Sequence, residues 1–148
     1  MSDLKTRAEA HFKKMGIDPS KEQKNPQMVQ VPTADRKEFA AASTTTHPCT
    51  ISTISVLFYT YCEVSVPAIG YTFKGHSGGL GVGGIDAKGV IYYADQSVLL
   101  ATKDFGVFFG AEDGGVIHVT WGSHGNATAI GVGEGGGAFG GSGSWKKS

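Results

Sequence analysis

GYTFKGHSGGLGVGGIDAKGVIYYADQSVLLATKDFGVFFGAEDGGVIHVTWGSHGNATAIGVGEGGGAFGGSGSW, residues 70–145, decides how this chain folds. It holds 22 of the 23 glycines, yet short apolar runs such as GVIYY, FGVFF and GVIHVTW lie between them. A Gly/Ser linker carries no such hydrophobic cargo. β-branched and aromatic runs bounded by Gly, Asp, Asn or Ser spell short strands at regular spacing, as in a sandwich or barrel. Turns are expected at Asp113-Gly114-Gly115, Gly125-Asn126 and Asp86-Ala87-Lys88-Gly89, with a weaker one at Ala94–Ser97. Counting the runs between them, SVLLA included, gives about eight antiparallel strands. Up-and-down or Greek-key closure into a compact β-barrel would leave no exposed edge.

The glycines need a physical reason, because each one inside a strand costs about 0.5–1 kcal/mol relative to alanine. Tight curvature and close packing supply it. Gly79, Gly81 and Gly83 share one parity and leave one sheet face nearly bare. Trp121, Phe105, Phe109 and Trp145 are the large side chains expected to pack against such faces.

Upstream, Thr50–Val66 reads as one long or strongly bent strand. Ile54, Val56, Phe58, Cys62, Val64 and Val66 lie on the parity expected to be buried, and Tyr59, Tyr61 and Glu63 on the other. Pro67 ends it. Cys49 and Cys62 would then stand far apart along the strand, so both are expected to be free thiols. The X-Pro steps at Asp18-Pro19, Asn25-Pro26, Val31-Pro32 and His47-Pro48 discourage regular structure before that point, apart from a helical turn or two within Thr33–Ala42. At the N-terminus Leu4, Ala8, Phe12 and Met15 follow helical spacing, with Ser2 as a cap and Gly16 as a stop. A helix this short is marginal unless it docks. Residues 1–46 are therefore assigned to an N-terminal arm of helix plus linker, and 47–148 to the barrel.

With 148 residues, one domain can bury a core without disulfides or metals. Thirteen basic and thirteen acidic residues cancel, which argues against a nucleic-acid partner. No apolar run is long enough for a membrane-spanning helix. The charged MSDLKTRAEAHFKKMG lacks the apolar centre of a secretory signal, so the protein is expected either to stay in the cytoplasm before delivery or to be secreted by another route.

Catalytic chemistry is not nominated. No GxSxG, HExxH or P-loop sequence is present, and GVGGI at 81–85 is no dinucleotide fingerprint. His11, His47, His76, His118 and His124 show no zinc-ligand spacing, and His118 is expected to face solvent. Cys62, on an apolar strand face, is a poor setting for a reactive thiolate. Asn126-Ala127-Thr128 matches a glycosylation acceptor by pattern. The reading is of a non-enzymatic protein without catalytic, cofactor-binding or metal-ligating residues.

GHSGGLGVGG at 75–84 and GEGGGAFGGSGSW at 133–145 resemble the virulence-associated protein (Vap) family of rhodococci. The family's GGL segment corresponds to Gly78-Gly79-Leu80, and its closing GSGSW to Gly141–Trp145, within a resemblance covering about residues 54–145. It implies a filled eight-stranded Greek-key barrel without an evident active site, and an exported effector of the kind linked to host endolysosomal membranes. This chain departs from the pattern in its missing secretory signal and its N-terminal helix. Three functions follow as expectations: an effector binding a membrane lipid or a host or target-cell protein; an interaction module exported through its N-terminal arm; and a barrel holding a small apolar ligand. A monomer is expected.

Overall fold

The computed structural model describes residues 2–20, 45–78, 84–110, 116–122, 125–133 and 137–148. A helix, α1 (Ser2–Lys14), precedes strands β1 (Thr45–Val56), β2 (Tyr59–Val66), β3 (Tyr71–Gly78) and β4 (Ile85–Tyr93). A short helix, α2 (Gln96–Ala101), leads to β5 (Asp104–Gly110), β6 (Val116–Thr120), β7 (Gly125–Gly133) and β8 (Gly137–Lys147). The strands close in the order β1-β2-β3-β8-β5-β6-β7-β4, and β4 pairs back onto β1. Every neighbouring pair is antiparallel. The spatial order 4-1-2-3 is one Greek key, and 8-5-6-7 is a second. The expected eight-stranded barrel is the fold observed.

Alternate residues of each strand fill the interior. Ile51, Val64, Phe73, Ile91, Val107, Ile117, Val119 and Trp121 are wholly buried there. One end is aromatic: Phe73 lies 5.0 Å from Phe105, 5.6 Å from Trp121 and 5.5 Å from Trp145, centroid to centroid. Gly75 makes this possible, since a Cβ there would fall 2.6 Å from a Phe105 ring carbon and 2.7 Å from one of Phe73. The expectation that aromatics press on bare strand backbone holds at this position. The alternation of Gly79, Gly81 and Gly83 lies outside the described residues, as do the Asp113-Gly114-Gly115 turn and the segment containing Asn25-Pro26, Val31-Pro32 and Thr33–Ala42.

Five local readings are corrected. Thr50–Val66 is a hairpin, not one strand: Val56 pairs with Tyr59, and Leu57-Phe58 make the turn. Leu57 takes φ 54, a left-handed conformation usually left to glycine, at a cost of about 1–2 kcal/mol. The Phe58 N–H donates to the Pro19 carbonyl (3.0 Å), so contacts from outside the hairpin help to hold the turn. The cysteines are free nonetheless, because Cys62 pairs with Thr53 and Cys49 lies opposite Gly89 on β4. Asp86–Gly89 forms no turn but runs mid-β4 between β1 and β7, where a Cβ on Gly89 would overlap the Thr128 carbonyl and Ala129.

SVLLA is helical, not a strand. The Asp95 carboxylate accepts the Ser97 N–H (3.0 Å), the Val98 N–H (3.3 Å) and the Ser97 hydroxyl (2.7 Å), which caps α2 and lowers that carboxyl's pKa. Gly125-Asn126 already belongs to β7, and the turn before it includes Gly122 at φ 61. His47-Pro48 does not interrupt β1. It lies in the stretch that pairs with β4 alone, where a missing N–H leaves no gap in a β1–β2 ladder.

Candidate functional site

The outside of the β1–β2 hairpin carries an apolar patch that α1 covers. Antiparallel register puts Ile54 opposite Tyr61 and Val56 opposite Tyr59, all facing outward. Leu4, Ala8 and Phe12 of α1 are buried against Val56 and Tyr61, with Ile17, Ile54 and Tyr59 packed around them. The helix therefore docks through three of its four predicted apolar positions, while Met15 is 53% exposed. It ends as the glycine predicts. Gly16 takes φ 72, its N–H donates to the Lys13 carbonyl (3.2 Å), and the Ile17 N–H donates to the Phe12 carbonyl (2.8 Å). Phe58, expected on the buried parity, is an exposed tip residue, and Ile54 and Val56 face the helix instead of the barrel core.

Two histidines meet along this seam. His11 on α1 and His76 on β3 stand Nε2 to Nδ1 at 2.8 Å, beside Tyr61, whose ring lies 5.2 Å from that of His11. Burial, then the neighbouring His76, Lys74, Lys146 and Lys14, brings the His11 pKa down to about 4. Burial lowers that of His76 as well. Arg7 donates to Glu63 at 2.8 Å in an ion pair, and the Tyr61 hydroxyl donates to the same carboxylate oxygen at 2.7 Å. Burial and this hydrogen bond raise the Tyr61 pKa.

Three lysines from three elements converge beside the pair. Lys146 on β8 has its pKa lowered by Lys14 of α1 first and then also by Lys74 of β3. A cleft of about 190 Å³ opens next to His76, walled by Ile17, Tyr59, Ser77 and Ser142. It is smaller than the roughly 300–1,000 Å³ of drug-sized ligand sites. Among the described residues, no group of three metal-ligating side chains occurs.

The other singled-out residues lie elsewhere. His118 has the outward parity expected of it, but it is buried at 4% exposure, stacked on Phe108 and bonded to Thr128 Oγ1 at 3.1 Å. Asn126 is buried in β7, so the glycosylation pattern falls on an inaccessible side chain. Burial raises the Cys49 thiol pKa to about 12 and that of Cys62 also. His124 is outside the described residues. Sequence spacing could not find the His11–His76 contact, whose members are 65 positions apart and joined only by docking.

No protein-family model matches the chain, and no curated protein does either. Two solved structures do. The virulence-associated protein VapD of the intracellular pathogen Rhodococcus equi superposes with a TM-score of 0.59 at 23% identity, over 70% of this chain and 99% of VapD. This is a Vap-like barrel. VapB of the same organism gives a TM-score of 0.59 at 25% identity, over 70% of this chain and 98% of VapB. The resemblance read from GGL and GSGSW thus extends to the architecture of two Vap proteins.

Proposed function

We propose that this Vap-like barrel is a non-enzymatic effector that works from its outer surface, and that the surface it meets is an anionic membrane. The observation that carries this reading is the placement of Lys74 and Lys146 on the outward face of the paired strands β3 and β8, with Lys14 of α1 beside them. Bringing three ammonium groups together costs free energy, and an anionic surface would recover it. Such a surface contributes about 1 kcal/mol per lysine near it. Met15, Leu57 and Phe58, on the side that α1 crosses, add exposed apolar side chains. The interior, filled by side chains of all eight strands, favours work from the outside over an enclosed apolar ligand.

Co-sedimentation tests this with vesicles of phosphatidylcholine alone and of phosphatidylcholine mixed with phosphatidylserine. The chain is expected to partition onto the anionic vesicles and to release as salt rises. Replacing all three lysines by glutamine should weaken binding by on the order of 100-fold at low salt. Failure to bind anionic vesicles at low salt would remove the membrane from the reading and leave a protein partner for this face.

A further inference from the structure

α1 is held by two sets of contacts that respond differently to acid. The apolar set, Leu4, Ala8 and Phe12 on Val56 and Tyr61, carries no titratable group except the Tyr61 hydroxyl. The polar set centres on the 2.8 Å contact of His11 with His76, in which one ring must donate and the other accept. One added proton leaves a cation among like charges. A second leaves two N–H donors opposed with no acceptor between them.

Among the described residues, the titratable and charged groups around the pair come from every packed element: Arg7 and Lys14 of α1, Tyr61 and Glu63 of β2, Lys74 of β3 and Lys146 of β8. Glu63 is the one carboxylate in that set, and Arg7 and Tyr61 already occupy it. Nothing in the set compensates a charged imidazole.

We infer that α1 is an acid-released strap: proton uptake by His11 and His76 undocks it and bares the outward face of β1–β2 while the barrel stays folded. The His11 pKa, about 4 when docked, returns to its ordinary 6.5 when the helix leaves. The undocked form takes up the proton that the docked form refuses, so docking weakens as pH falls between those values. For His11 alone, the docking constant falls about 20-fold from about pH 7 to 5. The barrel is spared because its core and the seam are separate clusters with no residue in common. Release follows from the seam itself and needs no bound surface.

Amide hydrogen exchange on the full chain at about pH 7 and 5, corrected for intrinsic rates, reads the release directly. Protection across residues 4–14 is expected to fall roughly 10- to 20-fold while the strands keep theirs. His11→Gln with His76→Gln should abolish most of that pH dependence. Should this variant leave the helix undocked at neutral pH, a histidine NMR titration of the unaltered chain decides. Both imidazoles should titrate below 6.5, and the α1 amide shifts should follow the same midpoints. Unchanged α1 protection across this range would overturn the inference. So would equal loss in helix and strands, or imidazoles titrating near 6.5 with α1 unmoved.

Discussion

Phe12→Ala separates a helix that is part of the barrel from one that is strapped onto it. Phe12 is 1% exposed and packs its ring 5.5 Å from Tyr59, 6.4 Å from Tyr61 and 6.0 Å from His76. Truncating a buried phenylalanine in an inescapable core costs about 3–5 kcal/mol. Here the structure has a way out: the helix can leave. Its apolar anchors are Leu4, Ala8 and Phe12, and each large one contributes about 1.5–3 kcal/mol by burial. Losing Phe12 removes about half of that, which is more than a short helix can spare. The loss of global stability should then stop at the docking free energy, about 2–3 kcal/mol. Adding Leu4→Ala should cost less than about 0.5 kcal/mol further, because the contact it removes is already gone. Urea unfolding followed by tryptophan fluorescence reports the barrel, since Trp121 and Trp145 lie 5.1 Å apart in its core. Far-UV circular dichroism reports the helix. If the second substitution costs its full 2–3 kcal/mol, the helix is integral to the fold and the reasoning is wrong.

Three shorter predictions accompany it. Because the folded pKa of His11, about 4, lies below its unfolded 6.5, the unfolded chain binds the extra proton between those values; stability is full above about pH 6.5 and falls toward pH 4. The loss, after solvent screening, is about 1–2 kcal/mol by urea unfolding, and the Phe12→Ala chain, its helix already undocked, should not show it. Leu57→Gly should stabilise by about 0.5–1 kcal/mol, the left-handed penalty of leucine less the chain entropy of glycine; a lower melting temperature would contradict that balance. Cys49 and Cys62, buried with raised pKa values, should resist a thiol reagent at pH 8 in the native state and react on unfolding; labelling at the rate of a free thiol would show that the barrel opens.

The barrel was legible because its signal is local and repeated. Strand-length runs cut by Gly and Asp constrain a fold even when individual turns are misplaced, and two of the described turns were. The errors share a cause. Asp86–Gly89 has turn chemistry, yet a ladder on each side and the approach of Thr128 outweigh it. Leu57-Phe58 has no turn chemistry, yet pairing from Thr50 to Val56 imposes a turn. In SVLLA the apolar run suggests a strand, but Asp95, placed by its chemistry in a turn, caps a helix instead. The seam was legible only in halves: the stripe of Leu4, Ala8 and Phe12, and the outward parity of Tyr59 and Tyr61. That these halves meet, and carry His11 onto His76, is a tertiary fact with no trace in residue spacing.

The same residues tie the two readings of the outer face together. Burial and His76, then Lys74, Lys146 and Lys14, depress the His11 pKa. An anionic surface drawn to those lysines would supply countercharge, raise the docked imidazole pKa toward its undocked value and move helix release to lower pH. Linkage is reciprocal, so release of α1, which takes Lys14 out of the cluster, must disfavour that surface by the same factor. The coupling has a definite sign: anionic vesicles should shift the midpoint of α1 release to lower pH, and neutral vesicles should leave it in place. A barrel whose interior shares no residue with the seam can carry such a conditional contact without risking its own fold.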